Sequence, residues 1–226
     1  MSATSSELFS NDRPGEVPVR GFLHRSPLHG SGDVLVLTHG AGGNCGAPLL
    51  VALAEAFAAA GVHVFLCDLP FRQMRPKGPP SPSTAQRDRE GLRRAVILMK
   101  AQFVGRVFMG GQSYGGRQAS ILAASRTELA YALLLLSYPL HPPGRPAPLR
   151  TAHFPDLHTP ALFVHGEADP FATTQELRPA IKLIPAPTML LEVAGAGHGL
   201  LTKANSAELP PRIVAAFQPI LQASDP

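Results

Sequence analysis

Four short segments of this chain carry residue types suited to nucleophilic acyl transfer. The first is Gly111-Gln112-Ser113-Tyr114-Gly115, a G-x-S-x-G pattern. A serine hydroxyl is a poor nucleophile until a neighbouring base accepts its proton. The pattern gains meaning where a strand turns sharply into a helix, because such a turn pushes the serine oxygen into the open beside a helix N-terminus. Small residues two before and two after Ser113 would let strand and helix pass closely. Without that context Ser113 is an ordinary helix cap. The second segment is Thr38-His-Gly-Ala-Gly-Gly-Asn44, a Gly-rich turn that exposes backbone N–H groups. An N–H here, paired with that of Tyr114, could hold a developing oxyanion. Ala41 is the candidate, with Gly42 as the alternative, and His39 is read as a brace for the turn. A phosphate loop would need a Gly-Lys-Ser/Thr ending or a full G-x-G-x-x-G, and neither is present.

The third segment, His165-Gly-Glu-Ala-Asp169-Pro170, offers an acid to orient an imidazole. Glu167 competes locally with Asp169. The run at 131–136 leads into Ser-Tyr-Pro-Leu-His without an acid, which favours Asp169. The fourth, Gly195-Ala-Gly-His198-Gly199, sets a histidine between glycines, in a loop able to bring its ring inward. The chain has nine His, so position rather than type singles out His198.

Each segment needs an element to position it. Apolar runs at 34–38, 62–67, 106–109, 131–136, 161–165 and 188–193 read as buried strands. Helical patterns occupy 49–60, 84–103, 113–126, 173–184 and 209–222, with Pro-rich loops at 69–82 and 139–160. Alternating strands and helices imply parallel strands joined by crossover helices. Near-continuous apolar strands imply a sheet covered on both faces. The reading is an α/β, doubly wound, mostly parallel sheet with helices on both faces and no cap domain. In such sheets the site lies outside the carboxyl ends of the strands, and all four segments follow strands. Residues 1–15 read as a flexible tail and 16–226 as one domain.

The order Ser113, Asp169, His198 is that of α/β-hydrolases and differs from the chymotrypsin and subtilisin orders. Over roughly residues 17–223 the chain resembles that superfamily. The runs LTHGAGGN, DLPFR, GGQSYGGRQAS, SYPLHPPG and FVHGEADP further resemble a small group related to dienelactone hydrolases and to TEX-type and NSL-complex hydrolase-like proteins. That resemblance implies a serine-hydrolase fold, a Ser113-His198-Asp169 triad and no cofactor. The nucleophile in dienelactone hydrolases is Cys, so dienelactone hydrolysis is not implied. The expected activity is hydrolysis of small or short-acyl carboxylic esters. Alternatives are a silent interaction module on the same fold, or thioesterase or peptidase chemistry. Candidate pocket residues are Gly42, Phe71, Met74, Arg117, Tyr138, Leu140 and Leu200, with the Pro-rich 139–160 segment as a rim.

Composition removes other classes. The charge is +4 and the bases are scattered apart from Arg72-Arg75-Lys77, so a nucleic-acid partner is not expected. No run of 18 apolar residues predicts a membrane span. His141, His153 and His158 lack metal-site spacing, so no metal is expected. Two Cys and an N-terminus without an apolar core predict a reducing, cytoplasmic setting. The partner expected is a small-molecule ester; monomer and homodimer both stay open.

Overall fold

The computed structural model describes residues 5–28, 32–142, 144–145 and 148–222. Eight strands form one sheet: β1 (Ser5–Asn11), β2 (Val19–Arg25), β3 (Val34–Thr38), β4 (His63–Asp68), β5 (Val107–Gln112), β6 (Leu133–Leu136), β7 (Ala161–Gly166) and β8 (Thr188–Val193). Their order is β1-β2-β4-β3-β5-β6-β7-β8. From β4 to β8 every pairing is parallel, while β1 and β2 are antiparallel. The helices are α1 (Pro48–Ala59), α2 (Pro70–Met74), α3 (Ala85–Gln102), α4 (Tyr114–Ser125), α5 (Thr174–Ile181) and α6 (Leu209–Gln222).

Alternation along each central strand divides the core into two layers. Leu35 and Leu37 of β3 pack with Leu50, Phe57 and Phe217 of α1 and α6. Val34 and Val36 of the same strand pack on the other face with Leu92, Met99 and Leu122 of α3 and α4. Successive strand side chains point to opposite faces, and both faces here are covered. This is why the central strands read as unbroken apolar runs.

Two features differ from the sequence reading. Residues 5–11, read as part of a flexible tail, form the edge strand β1, paired residue by residue with β2. Its composition is polar because only Phe9 and Asn11 are partly buried: Phe9 meets Phe65 edge-on, with ring centroids 5.1 Å apart, and Asn11 Oδ1 accepts from Arg94. Ion pairs Arg20–Asp12 and Arg25–Glu7 secure the exposed side of the hairpin. Strand β2 buries Val19, Gly21 and Leu23 in alternation with exposed Arg20 and Phe22, a half-buried pattern with no continuous apolar run, and so it also went unread. The Pro-rich 69–82 loop also contains the short helix α2, which Pro70 starts by fixing its own φ at the first turn.

The chain leaves β3 toward β4 on one side and reaches β5 on the other. The carboxyl ends of β3 and β5 therefore flank a topological switch point, where the crossover loops diverge and leave a crevice. No cap domain is inserted over this crevice among the described residues.

Candidate active site

Ser113 follows β5 and takes φ 52 and ψ −115, a left-handed conformation that non-Gly residues rarely adopt. The structure shows what forces it. Gly111 and Gly115 lie so close to the end of β3 that a Cβ on either would stand 2.5 Å from a backbone oxygen, Thr38 O and His39 O respectively. Strand and helix can meet at this distance only with glycines at both positions, and the residue between must turn sharply. Ser113 N–H donates to Leu136 O. That bond ties the turn to the next strand, and the side chain is left facing the crevice.

His198 Nε2 lies 2.8 Å from Ser113 Oγ, and His198 Nδ1 lies 2.8 Å from Asp169 Oδ2. The carboxylate fixes the tautomer: Nδ1–H donates to Asp169, so Nε2 is left as an acceptor toward the serine hydroxyl. The Asp169 side chain has no solvent exposure, and its Oδ1 also accepts the Phe171 N–H at 2.8 Å. Glu167, the local competitor, instead accepts the Gly195 N–H. Three further residues hold His198, its backbone or its ring, and nothing in their local spacing marks them. Ser137 Oγ donates to His198 O at 2.8 Å, Gln112 Nε2 donates to the same oxygen at 3.3 Å, and the Phe171 ring lies on the imidazole at 4.2 Å between centroids. A second imidazole, His165, sits 3.7 Å from Asp169 but gives its Nε2–H to Ala172 O. Burial pushes the pKa of His165 down and keeps it neutral.

The turn after β3 is built to present N–H groups. Gly43 N–H donates to Gly40 O, which places Ala41 and Gly42 at the two central positions of a tight turn, both lining the crevice. His39 braces the turn as expected: it is fully buried, Nδ1–H donates to Gly40 O, and Nε2 accepts the Leu69 N–H. Burial lowers its pKa. Arg72 was not anticipated in this role. Its guanidinium donates to Ala41 O, Gly43 O, Gly78 O and Arg75 O. With the carbonyls of the turn held from behind, its N–H groups are free to face forward. Tyr114 begins α4, so its N–H has no acceptor within the helix. Its hydroxyl donates to Asp88 Oδ2 at 2.7 Å, and Asp88 Oδ1 accepts the Phe71 N–H. Burial raises the Asp88 pKa, against these two hydrogen bonds.

These groups open onto a cleft of about 840 Å³, within the usual range for small-molecule sites. Of the pocket residues expected from sequence, Gly42 and Arg117 line it. Phe71, Tyr138, Leu140 and Leu200 do not: all four are buried in the core. Phe71 lies under His39 and Tyr114, and Tyr138 lies against Phe154 and Phe163, its hydroxyl donating to Arg150 O. Apolar side chains at strand ends gain more by packing inward than by lining an open cleft. Met74 is exposed and lies away from the cleft. Walls come instead from Pro79 to Pro82, Ile121 and Phe171, and from Arg89 and Arg150. Of the three rim histidines, His153 Nε2 lies 2.8 Å from Ser120 Oγ and His141 Nδ1 bonds Pro142 O.

An eight-stranded, mostly parallel sheet with a serine facing the crevice at the β5–α4 turn defines the α/β-hydrolase fold. The chain belongs to the alpha/beta hydrolase domain family, whose family model matches residues 31–216. Solved structures agree on the fold at low identity. One is an alpha-beta serine hydrolase homologue from Coxiella burnetii, 16% identical, with a TM-score of 0.75 over 93% of this chain and 97% of that one. A dienelactone hydrolase from Anabaena variabilis is 20% identical, with a TM-score of 0.75 over 96% and 98%. An α/β serine hydrolase without lid from Xanthomonas campestris is 17% identical, with a TM-score of 0.74 over 100% and 99%.

Proposed function

We propose that the protein is a carboxylic-ester hydrolase acting through a Ser113-His198-Asp169 triad. The observation that carries this reading is the unbroken chain of contacts from Asp169 through His198 to Ser113 at 2.8 Å per link, on a strained turn that opens into the cleft. Ser113 Oγ attacks the acyl carbonyl carbon while His198 Nε2 takes its proton. The new Oγ–C bond puts the negative charge on the carbonyl oxygen, where the N–H groups of Tyr114 and Ala41 receive it. Collapse breaks the ester C–O bond, and the imidazolium returns the proton to the leaving alcohol. Water, activated by the same imidazole, then releases the acid. Asp169 holds the tautomer and stabilises the imidazolium without taking the proton.

The open cleft favours small or short-acyl esters. Both cysteines are free and buried, with Cys45 pushed up to about 12 by burial and Cys67 pushed up as well. Among the described residues no helix is long and apolar enough to cross a membrane.

The test is hydrolysis of p-nitrophenyl esters from acetate to dodecanoate, with Ser113→Ala alongside and a fluorophosphonate as covalent label. Wild type should label and turn over short esters, and Ser113→Ala should lose the label and about 10⁶ in kcat. A folded wild-type protein that neither labels nor exceeds background would overturn the reading in favour of an interaction module.

A further inference from the structure

Several arginines in this molecule are held by carboxylate or carbonyl oxygens. Arg94 meets Glu16, Arg106 meets Asp33, Arg93 meets Glu90, and the buried Arg72 is held by carbonyls. The cleft beside Ser113 gathers three that meet no carboxylate. Arg89, Arg117 and Arg150 all line it, and among the described residues none forms an ion pair with a carboxylate. Arg117 Nε is buried without a hydrogen-bond partner. Gln118, fully buried on the same wall, accepts the Arg89 Nη1–H at its Oε1 (2.8 Å) and leaves its Nε2 unpartnered. Arg117 and Arg150 also line an adjoining cleft with Arg145, so they stand at the boundary between the two.

An unmet buried donor costs roughly 1–3 kcal/mol, more when it is charged. A guanidinium cannot escape that cost by losing its proton. Burial and the neighbouring Arg117 both push the Arg150 pKa down, as expected of two cations brought together without a counter-charge. An anion would supply the missing counter-charge and acceptor. Its position relative to the serine is fixed by α4, since Arg117 N–H donates to Ser113 O, one helical turn from the nucleophile. An anion there also benefits from the N-terminal end of the helix.

We propose that the cleft takes esters bearing a second, anionic oxygen group, a carboxylate or a phosphoryl group, held by Arg117 and Arg150 with Arg89 and the Gln118 amide beside them. This rests on the hydrolase reading above and adds the substrate class. The anion serves as a handle that seats the scissile carbonyl over Ser113; the bonds made and broken at the ester are unchanged.

The experiment compares three p-nitrophenyl esters of similar length: the glutarate hemi-ester, the neutral butyrate ester and the 4-phosphonobutyrate ester. The variants are Arg150→Gln, Arg117→Gln and Arg150→Lys. Fluorophosphonate labelling and calorimetric binding of free glutarate and of 4-phosphonobutyrate are read in parallel. In the wild type, kcat/KM for an anionic ester should exceed that for butyrate by about 10- to 100-fold, the size of a charge-assisted hydrogen bond. The better of the two anionic esters identifies the carboxylate or the phosphoryl group. Arg150→Gln and Arg117→Gln should each collapse the ratio, while Arg150→Lys should keep part of it. If butyrate is cleaved as well as or better than both anionic esters, the anion site is overturned while the hydrolase reading stands. If the protein neither labels nor turns over any ester, the hydrolase reading fails. The anion site is then judged by calorimetry: binding of either anion that Arg150→Gln abolishes supports it, and no binding overturns it.

Discussion

Arg72 shows how a single side chain can govern a site it does not enter. Its planar fork reaches four backbone carbonyls, two of them, Ala41 O and Gly43 O, on the turn proposed to hold the oxyanion. Turning a peptide carbonyl one way turns the next N–H the other way, so the grip on Ala41 O sets where the Gly42 N–H points, while the Ala41 N–H beside it is set by Gly40 O, which His39 holds; Arg72 thus fixes the half of the turn that His39 does not. Arg72→Gln should lower kcat by about 10²-fold, the order expected when a group in the transition-state cradle is displaced by about 1 Å, with a much smaller change in KM. Arg72→Lys should recover little, because an ammonium offers three donors and no planar fork. Steady-state kinetics beside a thermal melt separates this effect from loss of fold; an unchanged kcat in a folded variant would refute it.

At the scale of elements, the turn between β5 and α4 depends on the close approach of α4 to the end of β3. A Cβ at Gly115 would lie 2.5 Å from His39 O and 2.8 Å from Thr38 Cγ2, and neither backbone nor strand can move freely. Gly115→Ala should therefore destabilise the protein by about 1–3 kcal/mol, as overpacking does, and should also reduce ester turnover by shifting Ser113 against His198. Urea denaturation with kinetics in the same buffer reads both. The N-terminal hairpin is held differently: Phe9 and Asn11 turn inward, two exposed ion pairs flank the strands, and the backbone ladder between β1 and β2 does the rest.

At the scale of the whole molecule, histidine burial sets the response to acid. Burial lowers the pKa of His24, His39, His63, His153 and His165, His153 to about 4. A histidine lowered in the fold stays neutral there while the unfolded chain takes up a proton near 6.5. Its stabilising contribution is thus complete above pH 6.5 and is lost as the pH falls through the window toward 4. The carboxylates of Asp12, Glu90 and Glu176, held low by hydrogen bonds, add their losses only below their ordinary values of 3.8 and 4.5. The urea midpoint should therefore be clearly lower at pH 5 than at pH 7.5, and His153→Gln should flatten part of that slope. Equal midpoints at the two pH values would refute the argument.

The sequence alone determined the serine turn, the pattern of the six strands β3 to β8 and the order of the three candidate side chains. Those are local matters: Gly111 and Gly115 flank Ser113 within five residues, and a strand buried on both faces must be apolar throughout. His39 as a brace was legible for the same reason, being adjacent to the turn it holds. Tertiary structure alone decided which side chains face the cleft. Phe71, Tyr138, Leu140 and Leu200 lie near the strand ends in sequence but turn into the core, while Arg150, Phe171 and Pro79 to Pro82 arrive from distant loops. It also decided that residues 5–11 would be a strand, since a polar segment pairs only when a partner edge is offered. The grouping of Arg89, Arg117 and Arg150 is of this second kind. Whether a charge is paired depends on which segments fold against one another, and spacing along a chain carries no record of that.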